Sequence, residues 1–317
     1  ALRRAGYGVD LADLREGMKF STIGGEEVCC KYITPATLRA SYMRSKTRKS
    51  RDLVFPEHVD TGQLAHCLTS LPTGVCYITE KLHGTSARYG KVLERIPNGW
   101  LRRLLGLPER SRVVPVAGTR RVVLDPLTGK ETEGYRGSNV FRFDVLDPST
   151  LRDGEIVYGE IVGYDSNGRL IMGRHDASKL SNEFQVKFGN EIEYTYGCEP
   201  GTHKMYVYRI CNTTLDGRVV DLPWPAVVGR CKELGLVPVP IIRRPHHPGD
   251  MHVYAGLMIG VYHDARPSEL GGMAEGIVLR IEHANGVSFY KHKCYEFKVM
   301  EGIIKANDSY VDEEEAS

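Results

Sequence analysis

Short β-branched and aromatic runs recur along the 317-residue chain and constrain its fold more than any other feature. Each run is bounded by glycine, proline, asparagine or aspartate, which indicates a strand rather than a long helix. Helical periods between the runs are few, which argues against a doubly wound parallel sheet. We therefore predict an α+β fold of mostly antiparallel sheets with flanking helices. The runs are EEVCCKYI, TGVCYITE, RVVLDP, NVFRFDVLD, EIVYGEIVG, HKMYVYRI, LVPVPII, EGIVLRIE and SFYKHKCYEFKV.

Three segments carry the helical signals of the chain. SELGGMA and PAVVGRCKELG are the better helix candidates. WLRRLLGL lies in a basic stretch between Gly90 and Val113 and has two interpretations. It is either an amphipathic helix that lies on a membrane or on RNA, or an insertion that packs its leucines and Trp100 on the domain. The second outcome is the commoner one for such segments, and we expect it here.

Charge is nearly balanced, with 42 basic against 40 acidic residues, so net charge alone does not indicate a polyanionic partner. Five cations nevertheless cluster between Arg44 and Arg51, and the chain ends in DEEEAS, which is typical of a disordered acidic tail. Eight cysteines without a CxxC pair indicate reduced thiols, and no apolar run is long enough to cross a bilayer. We expect a cytoplasmic protein without a membrane partner. A phage-encoded protein that acts inside its host cell also fits these features.

Lys81 stands in ITEKLHGTSARYG, between a predicted strand and a tight Gly-Thr-Ser turn. A lysine followed three residues later by glycine is a common pattern, and alone it favours a surface cation. The alternative is a nucleophile held over a pocket. Only the rest of the chain can distinguish these two interpretations.

A second lysine pair lies in SFYKHKCYEF, near the end of the chain. If the whole segment is one strand, its period of two places Lys291 and Lys293 on one face with Phe289, Tyr295 and Phe297. Two cations on one face repel each other unless an anion lies over them. An exposed edge strand explains them equally well.

Two carboxylates and one aromatic residue also occupy informative strand positions. Glu160 interrupts the apolar run EIVYGEIVG, where it is either at an exposed strand end or a hydrogen-bond acceptor for a ligand. Glu275 stands at the mouth of the strand EGIVLR, as a metal ligand or a solvated strand end. In KMYVYRI, Tyr206 and Tyr208 are expected on one face, as core aromatics or as a stacking platform for a base.

In their order and separations, KLHGTS, YGEIVG, MYVYRI, EGIVLR and YKHK resemble motifs I, III, IIIa, IV and V of the covalent nucleotidyltransferases. This superfamily contains the ATP-dependent ligases and the RNA capping enzymes. The form Lys-x-His-Gly-Thr is characteristic of the phage nick-sealing and kinetoplastid RNA-editing RNA ligases, whereas DNA ligases usually carry an acidic residue two places after the lysine. AGTRRVV is similar to the Ser-Arg element that follows motif I, with Arg120 as the match and Thr119 in place of the serine. Arg209 stands where the family often has aspartate.

The resemblance implies a nucleotidyltransferase domain, an ATP-grasp-like ligase adenylation fold, and an ATP-dependent RNA ligase activity. Lys81 would attack the α-phosphate of ATP, forming lysyl-AMP and releasing pyrophosphate. The adenylate would pass to an RNA 5′-phosphate, and an RNA 3′-hydroxyl would then displace AMP. Lys291 and Lys293 would hold the α-phosphate.

The resemblance also assigns the remaining roles at the site. Glu80 would lie at the adenine edge, Tyr208 would stack on the base, and Arg120 would hold the ribose or a neighbouring phosphate. Glu160 would bind the ribose hydroxyls, and Glu275 would bind Mg²⁺ or Mn²⁺ directly or through water. His83 belongs to the motif, but its spacing assigns it no role, and no sequence pattern indicates a zinc site.

The resemblance covers roughly residues 73 to 300 and divides the chain into three parts. We expect a basic accessory segment over residues 1–72, the adenylation domain over 73–300 and an acidic tail over 301–317. A C-terminal oligonucleotide-binding domain with motif VI is not expected within the chain. The predicted partners are RNA ends or a nicked duplex, in RNA repair, and we expect a monomer. The alternatives are a ligase that acts on DNA, another adenylyltransferase, and an inactive nucleic-acid-binding relative.

Overall fold

The computed structural model describes residues 51–124, 140–246 and 249–304, together with Ala12 and three two-residue strands among the first fifty residues. The chain divides into two compact units, residues 1–50 with 308–317, and residues 51–307. In the first unit, β1 (Gly8–Val9) runs parallel to β2 (Thr22–Ile23), which pairs antiparallel with β3 (Glu26–Glu27). The basic residues 44–49 and the acidic end of the tail lie outside the described residues.

The second unit contains fifteen strands and six α-helices within its described residues. Its strands are β4 (Asp52–Leu53), β5 (Gly62–Gln63), β6 (Val75–Lys81), β7 (Thr85–Ile96), β8 (Arg110–Gly118), β9 (Val123–Leu124), β10 (Glu155–Gly163), β11 (His175–Asp176), β12 (Glu191–Ile192), β13 (His203–Thr213), β14 (Val219–Asp221), β15 (Val237–Pro238), β16 (Ile241–His246), β17 (Gly276–His283) and β18 (Gly286–Lys293). Its helices are α1 (Leu64–Cys67), α2 (Trp100–Leu104), α3 (Asn182–Phe188), α4 (Trp224–Leu234), α5 (Met251–Val261) and α6 (Tyr295–Met300). In the described part of the chain, no helix has the length and apolar character needed to span a bilayer.

Two sheets form the frame of this unit. The larger has the order β14-β13-β10-β7-β8-β9, with β15 added to β13 and β4 to β7, and the smaller has the order β16-β6-β17-β18-β5. All of these pairs are antiparallel except β13 with β15 and β18 with β5. The predicted α+β fold of mostly antiparallel sheets is therefore confirmed.

The hydrophobic core joins the two sheets. One buried cluster contains Tyr77 from β6 together with Tyr89 from β7 and Ile161 from β10, so the inner faces of both sheets contribute to it. On its other face the smaller sheet packs Ile78 and Leu279 against helix α5. Residues 51–72 belong to the same unit, since β4 pairs with β7 and β5 with β18.

The register of the smaller sheet brings the predicted lysines to one face. Gly276 on β17 pairs with Lys81 on β6 and with Lys293 on β18, and Val278 pairs with Lys291. Directly paired residues of antiparallel strands share a face, and the next residue along a strand faces the other way. The side chains of all three lysines therefore lie on the inner side of this sheet.

The last predicted strand is shorter than expected. β18 ends at Lys293, and helix α6 begins at Tyr295, so the prediction that Tyr295 and Phe297 continue the strand is wrong. Burial explains the helix, because its turn carries Phe297 fully into the main core.

The helix predictions had different outcomes. PAVVGRCKELG is confirmed as α4, which ends at Gly235 in the left-handed conformation. SELGGMA is not a helix, because Gly271 and Gly272 both have positive φ and form a turn. WLRRLLGL forms α2 as a single short turn, but Trp100 and Leu104 are 74% and 75% exposed, so the expected packing is wrong. The reason is its place at the tip of the β7–β8 hairpin, beyond the part of β7 that β10 covers.

Candidate active site

The turn after β6 fixes the position of Lys81. Gly84 lies so close to β10 that an added Cβ would stand 2.5 Å from the Ile161 carbonyl oxygen and 2.8 Å from Glu160 Cγ. A glycine is therefore required where this turn packs on the larger sheet. The His83 backbone N–H also donates a 2.8 Å hydrogen bond to the hydroxyl of buried Tyr196.

A buried arginine holds the start of the next strand. Arg142 donates to the Ser86 carbonyl at 2.8 Å and to the Thr85 hydroxyl at 2.6 Å. These bonds satisfy the polar groups of the Gly-Thr-Ser turn inside the fold. Hydrogen bonds with Tyr196 and Arg142 thus hold both ends of the turn, and they fix the backbone next to Lys81.

Lys81 faces a buried carboxylate. Its Nζ lies 2.5 Å from Glu275 Oε1, and Lys293 Nζ lies 3.7 Å from the same oxygen. Glu275 is 1% exposed. Burial alone would raise the pKa of Glu275, but the charges of Lys81 and Lys293, with the His83 ring beside the carboxylate, outweigh burial and hold this pKa below its usual range.

Gly276 allows strands β17 and β18 to lie close together beside Glu275. A Cβ at this position would stand 2.1 Å from the His292 carbonyl oxygen, so any side chain would force the strands apart. Both Glu275 beside it and Lys293 opposite it are buried. The glycine that follows the carboxylate is therefore part of the packing that holds the ion pair.

Glu160 faces the cluster from the larger sheet. The Ser86 hydroxyl donates a 3.1 Å hydrogen bond to Glu160 Oε2. Burial raises the pKa of Glu160 to about 7, although the charge of Lys81 opposes this shift. A carboxylate that can be either protonated or ionised near neutral pH thus lies beside the lysine cluster.

Tyr208 and Arg120 lie together, near Glu160. The electrostatic neighbours of the half-buried Tyr208 include both Glu160 and Arg120. The His58 ring stands edge-on to Tyr208 with centroids 4.9 Å apart, and Arg120 Nη2 lies 3.2 Å from Asp60 Oδ1. The segment of residues 55–60 therefore borders this part of the site.

The pairing of β10 with β13 shifts at Tyr158 and Gly159, and the shift leaves Tyr208 as the extra residue of a bulge. Tyr206 is 4% exposed and belongs to the main core, whereas Tyr208 is half-buried. The two tyrosines therefore do not form one platform, and Tyr208 alone borders the site.

Glu80 lies apart from the other predicted residues. As the residue before Lys81, it faces the Ile78 side of β6. It lines a cavity of about 620 Å³ with Tyr262 and Ile277, and its Oε2 accepts the Glu269 N–H at 3.0 Å. Burial raises its pKa. The structure therefore brings Lys81, Lys293, Glu275 and Glu160 together but places Glu80 on the other side of the strand.

Arg209, which stands where the related motif often has aspartate, has a structural partner. Its guanidinium donates to both carboxylate oxygens of Asp221 on β14, at 2.5 and 3.2 Å. It also lies over the Tyr158 ring at 4.8 Å. Arg209 is 2% exposed, and its charge is thus paired within the larger sheet.

Two residues beside the cluster, His175 and Glu301, are not among the residues predicted from the sequence. His83 Nε2 lies 3.8 Å from Glu301 Oε1, and His175 Nε2 lies 3.6 Å from the same oxygen. Residues 83, 175 and 301 are far apart in the chain, and no spacing signal joins them. Only the tertiary fold brings them together.

The site fits a nucleotide with a divalent cation. Three lysines lie on the inner face of the smaller sheet, where negative phosphate groups would compensate their repulsion. Glu275 Oε2 is buried, lies 3.6 Å from His83 Nδ1 and has no hydrogen-bond partner among the described residues. Such an oxygen is a suitable ligand for a hard cation.

Comparison with known proteins gives one family match. A family model described as RNA ligase matches residues 74–294, well over half of the chain. A search of curated proteins finds no match.

Among solved structures, three forms of the RNA ligase of Naegleria gruberi are similar to this chain. An apo variant is 13% identical with a TM-score of 0.44, covering 78% of this chain and 58% of that one. A form with pyrophosphate is 11% identical with a TM-score of 0.43, covering 77% and 57%. A variant with ATP and manganese is 11% identical with a TM-score of 0.43, covering 80% and 59%. The chain thus spans less than two thirds of the length of these ligases.

Proposed function

The chain belongs to the RNA ligase family, and we propose that it is an ATP-dependent RNA ligase that works through lysyl-AMP. The observation that carries this proposal is the buried cluster in which Lys81 Nζ lies 2.5 Å from Glu275, with Lys293 beside it. A surface lysine that merely closes a hairpin needs no buried carboxylate partner. The Lys81 cluster favours the nucleophile interpretation for this reason.

Lys81 must lose its proton before it can attack phosphorus. In the structure its ammonium is held by Glu275, a carboxylate with a lowered pKa and therefore a weak base. Any change that draws this carboxylate away or adds positive charge beside the amine favours the neutral lysine. We propose that the divalent cation that accompanies the nucleotide would bring about this change by binding Glu275, so that the nucleophile is activated only when its target is present.

Lys291 and Lys293 are proposed to hold the α-phosphate during the transfer. Lys293 is buried and lies on the same face as Lys81, one pleat from Lys291. Fixed cations stabilise the charge that develops on phosphate oxygens without reorganising at the moment of reaction. Mg²⁺, or Mn²⁺, held by Glu275 directly or through water would add Lewis-acid stabilisation to the same oxygens.

The remaining residues are proposed to bind the nucleoside. Tyr208 would stack on the base, Arg120 would contact the ribose or a phosphate, and Glu160 would accept from the ribose hydroxyls. Ser86 contacts both Glu160 and Tyr208, and Arg120 is an electrostatic neighbour of Tyr208, which supports these roles. Glu80 is proposed to contact the edge of the adenine. This role requires the base to reach the far side of β6, where the Glu80 side chain lies.

We further propose that the 3′-hydroxyl and 5′-phosphate ends of RNA are the substrates and that the basic residues 44–49 contact RNA. Arg51, the last cation of that cluster, already binds Glu94 at 2.6 Å. Residues 51–72 belong to the unit that holds the site, so a chain that starts at residue 51 tests the segment without removing core strands. The truncated chain is expected to self-adenylylate normally. Its RNA affinity should depend less on salt, with the slope of log K against log salt concentration smaller by about 0.9 or less per lost phosphate contact.

The experiment that tests the proposed function combines two substrates. The purified chain is incubated with a nicked duplex and with single-stranded RNA, each with 5′-phosphate and 3′-hydroxyl ends, and with ATP or GTP. Sealing of RNA with ATP supports the proposal. Sealing of DNA alone would favour the DNA-ligase alternative, and adenylylation without sealing of either would favour another adenylyltransferase. An intracellular location, a monomeric state and a part in RNA repair remain predictions from the sequence.

A further inference from the structure

We propose that His83, His175 and Glu301 form a binding site for one divalent transition-metal ion, for which zinc is the best-suited candidate. This site is distinct from the Glu275 carboxylate and does not depend on the ligase function. Two imidazoles and one carboxylate are a known zinc-binding set with room for a fourth ligand. The three potential ligand atoms all lie within 4.8 Å of one another.

The distances fit a shared ion better than direct hydrogen bonds. Glu301 Oε1 lies 3.8 Å from His83 Nε2 and 3.6 Å from His175 Nε2, both beyond hydrogen-bond length. Ligands at zinc distances of about 2.0–2.1 Å in a tetrahedron are separated by roughly 3.4 Å. The two histidine–glutamate distances are therefore within a few tenths of an ångström of those around a shared ion.

Each ligand also has a polar neighbour on the side away from the proposed ion. His83 Nδ1 faces Glu275 Oε2 at 3.6 Å, and His175 Nδ1 lies 3.3 Å from the Tyr194 hydroxyl. The second oxygen of Glu301 lies 3.6 Å from Lys293 Nζ. Metal-binding histidines usually have such a partner at the ring nitrogen that does not bind the metal, which leaves Nε2 directed at the ion.

Aromatic rings pack against the two imidazoles, whereas Glu301 lies at the exposed edge of the group. The ring of Phe297 lies 5.0 Å from that of His83 and 5.4 Å from that of His175, and Tyr194 contacts both imidazoles. Burial of this kind limits the exchange of ligands with water and fixes the rings.

Ligand chemistry separates this ion from the magnesium proposed at Glu275. Imidazole nitrogens favour zinc and other late transition metals, whereas magnesium takes oxygen ligands and keeps its waters. The bound ion would fix His83, which faces Glu275, which in turn holds Lys81. His83, His175 and Glu301 are therefore positioning residues for the lysine cluster.

The test is zinc retention by the full chain. Protein treated with a chelator is loaded with zinc in a large excess of Mg²⁺, freed of unbound metal by gel filtration, and assayed for metal per chain. The expected result is one zinc per chain for the wild type and for His252→Ala, a control at an exposed histidine on α5. His175→Ala and Glu301→Gln are expected to bind zinc at least tenfold more weakly. Cobalt substitution provides a second readout, because its visible absorption reports nitrogen ligands.

Several results would overturn the proposal. One is that the wild-type chain retains no zinc. Another is that the wild type, His175→Ala and Glu301→Gln retain equal amounts of zinc. Loss of zinc in Glu275→Gln alone would assign the ion to the magnesium site instead. Circular dichroism and melting curves accompany each variant, and Glu301→Gln decides the question if His175→Ala fails to fold, because it keeps the shape of the side chain. RNA sealing is measured separately, so that failure of the ligase proposal and failure of the zinc proposal are distinguishable.

Discussion

The Lys81 end and the Tyr208 end of the site are built differently. At the first, Glu275 and Lys293 are 1% and 5% exposed, and their charges are paired within the fold. At the second, the Arg120 side chain is 56% exposed, and its ion-pair partner is the exposed Asp60 of a loop segment. An exposed pair of this kind stabilises a protein little, whereas a buried charge that loses its partner is costly. We therefore expect changes at the Lys81 end to remove chemistry and changes at the Tyr208 end to weaken nucleotide binding.

The largest expected effect is that of Lys81→Ala, which should abolish covalent AMP transfer because it removes the nucleophile. The fold should remain, but the melting temperature should fall, since Glu275 loses its nearest cation at a cost of up to about 3–5 kcal/mol. Adding Glu275→Gln should recover part of this loss. Labelling from ATP and thermal melts measure both effects, with exposed Lys232→Ala as the control. Substantial labelling of Lys81→Ala would contradict the assignment.

Lys291→Ala and Lys293→Ala separate the two phosphate-binding lysines. Both should slow adenylylation, and Lys293→Ala should also lower stability, because Lys293 is buried and paired with Glu275 and Glu301. Labelling rates and melts compare the two variants. Full activity in both would remove the argument from their shared face.

Glu275→Ala and Glu160→Ala compare the two carboxylates across the site. Glu275→Ala should raise the Mg²⁺ concentration needed for adenylylation about tenfold or more, and excess metal should rescue it only in part. Glu160→Ala should raise the KM for ATP without such a shift. Magnesium titrations of the adenylylation rate distinguish the two roles, and superimposable titrations would show that the carboxylates do not act separately.

Tyr208→Ala tests the open end and should have a smaller effect. Loss of one stacking platform costs about 1–3 kcal/mol, so the KM for ATP should rise roughly 5- to 150-fold with little change in the maximal rate. Tyr208→Phe keeps the ring and should behave like the wild type. An unchanged KM in Tyr208→Ala would place the base elsewhere.

Glu160 also gives a pH-dependent effect on stability, which is separate from its role in nucleotide binding. Burial raises its pKa to about 7 in the folded chain, above the unfolded value of 4.5. The folded state therefore binds more protons between these values, and the stabilising contribution present below pH 4.5 is lost as the pH rises through about 7. Glu160→Gln mimics the protonated form and should be more stable than the wild type at pH 8, by on the order of 2–3 kcal/mol, but not at pH 4.5. Urea unfolding at the two values measures this, and parallel pH curves for both proteins would refute it.

Much of this architecture was predictable because it depends on local periodicity. Strands β6, β10, β13, β17 and β18 follow runs of apolar residues, and the position of Glu275 at the mouth of β17 follows from its run. The same period of two predicts that the side chains of Glu80 and Lys81, as neighbours on one strand, point to opposite faces of the sheet. The sequence therefore already contains a signal against placing both in one nucleotide pocket.

What could not be predicted depends on tertiary contacts. The turn from β18 into α6 occurs where Phe297 enters the core, and nothing in the local pattern marks that point. His175 lies on a two-residue strand, and Glu301 follows the last helix, so neither belongs to a periodic run. Their approach to His83 arises only when distant segments pack together.

The most direct test of the central claim is to locate the covalent nucleotide. The chain is incubated with ATP and Mg²⁺, digested under conditions that preserve phosphoramidates, and its peptides are sequenced by mass spectrometry. We predict one AMP, carried by Lys81 in the peptide that contains KLHGTS. AMP on Lys291 or Lys293 instead, or an active ligase with no covalent AMP on any lysine, would contradict it.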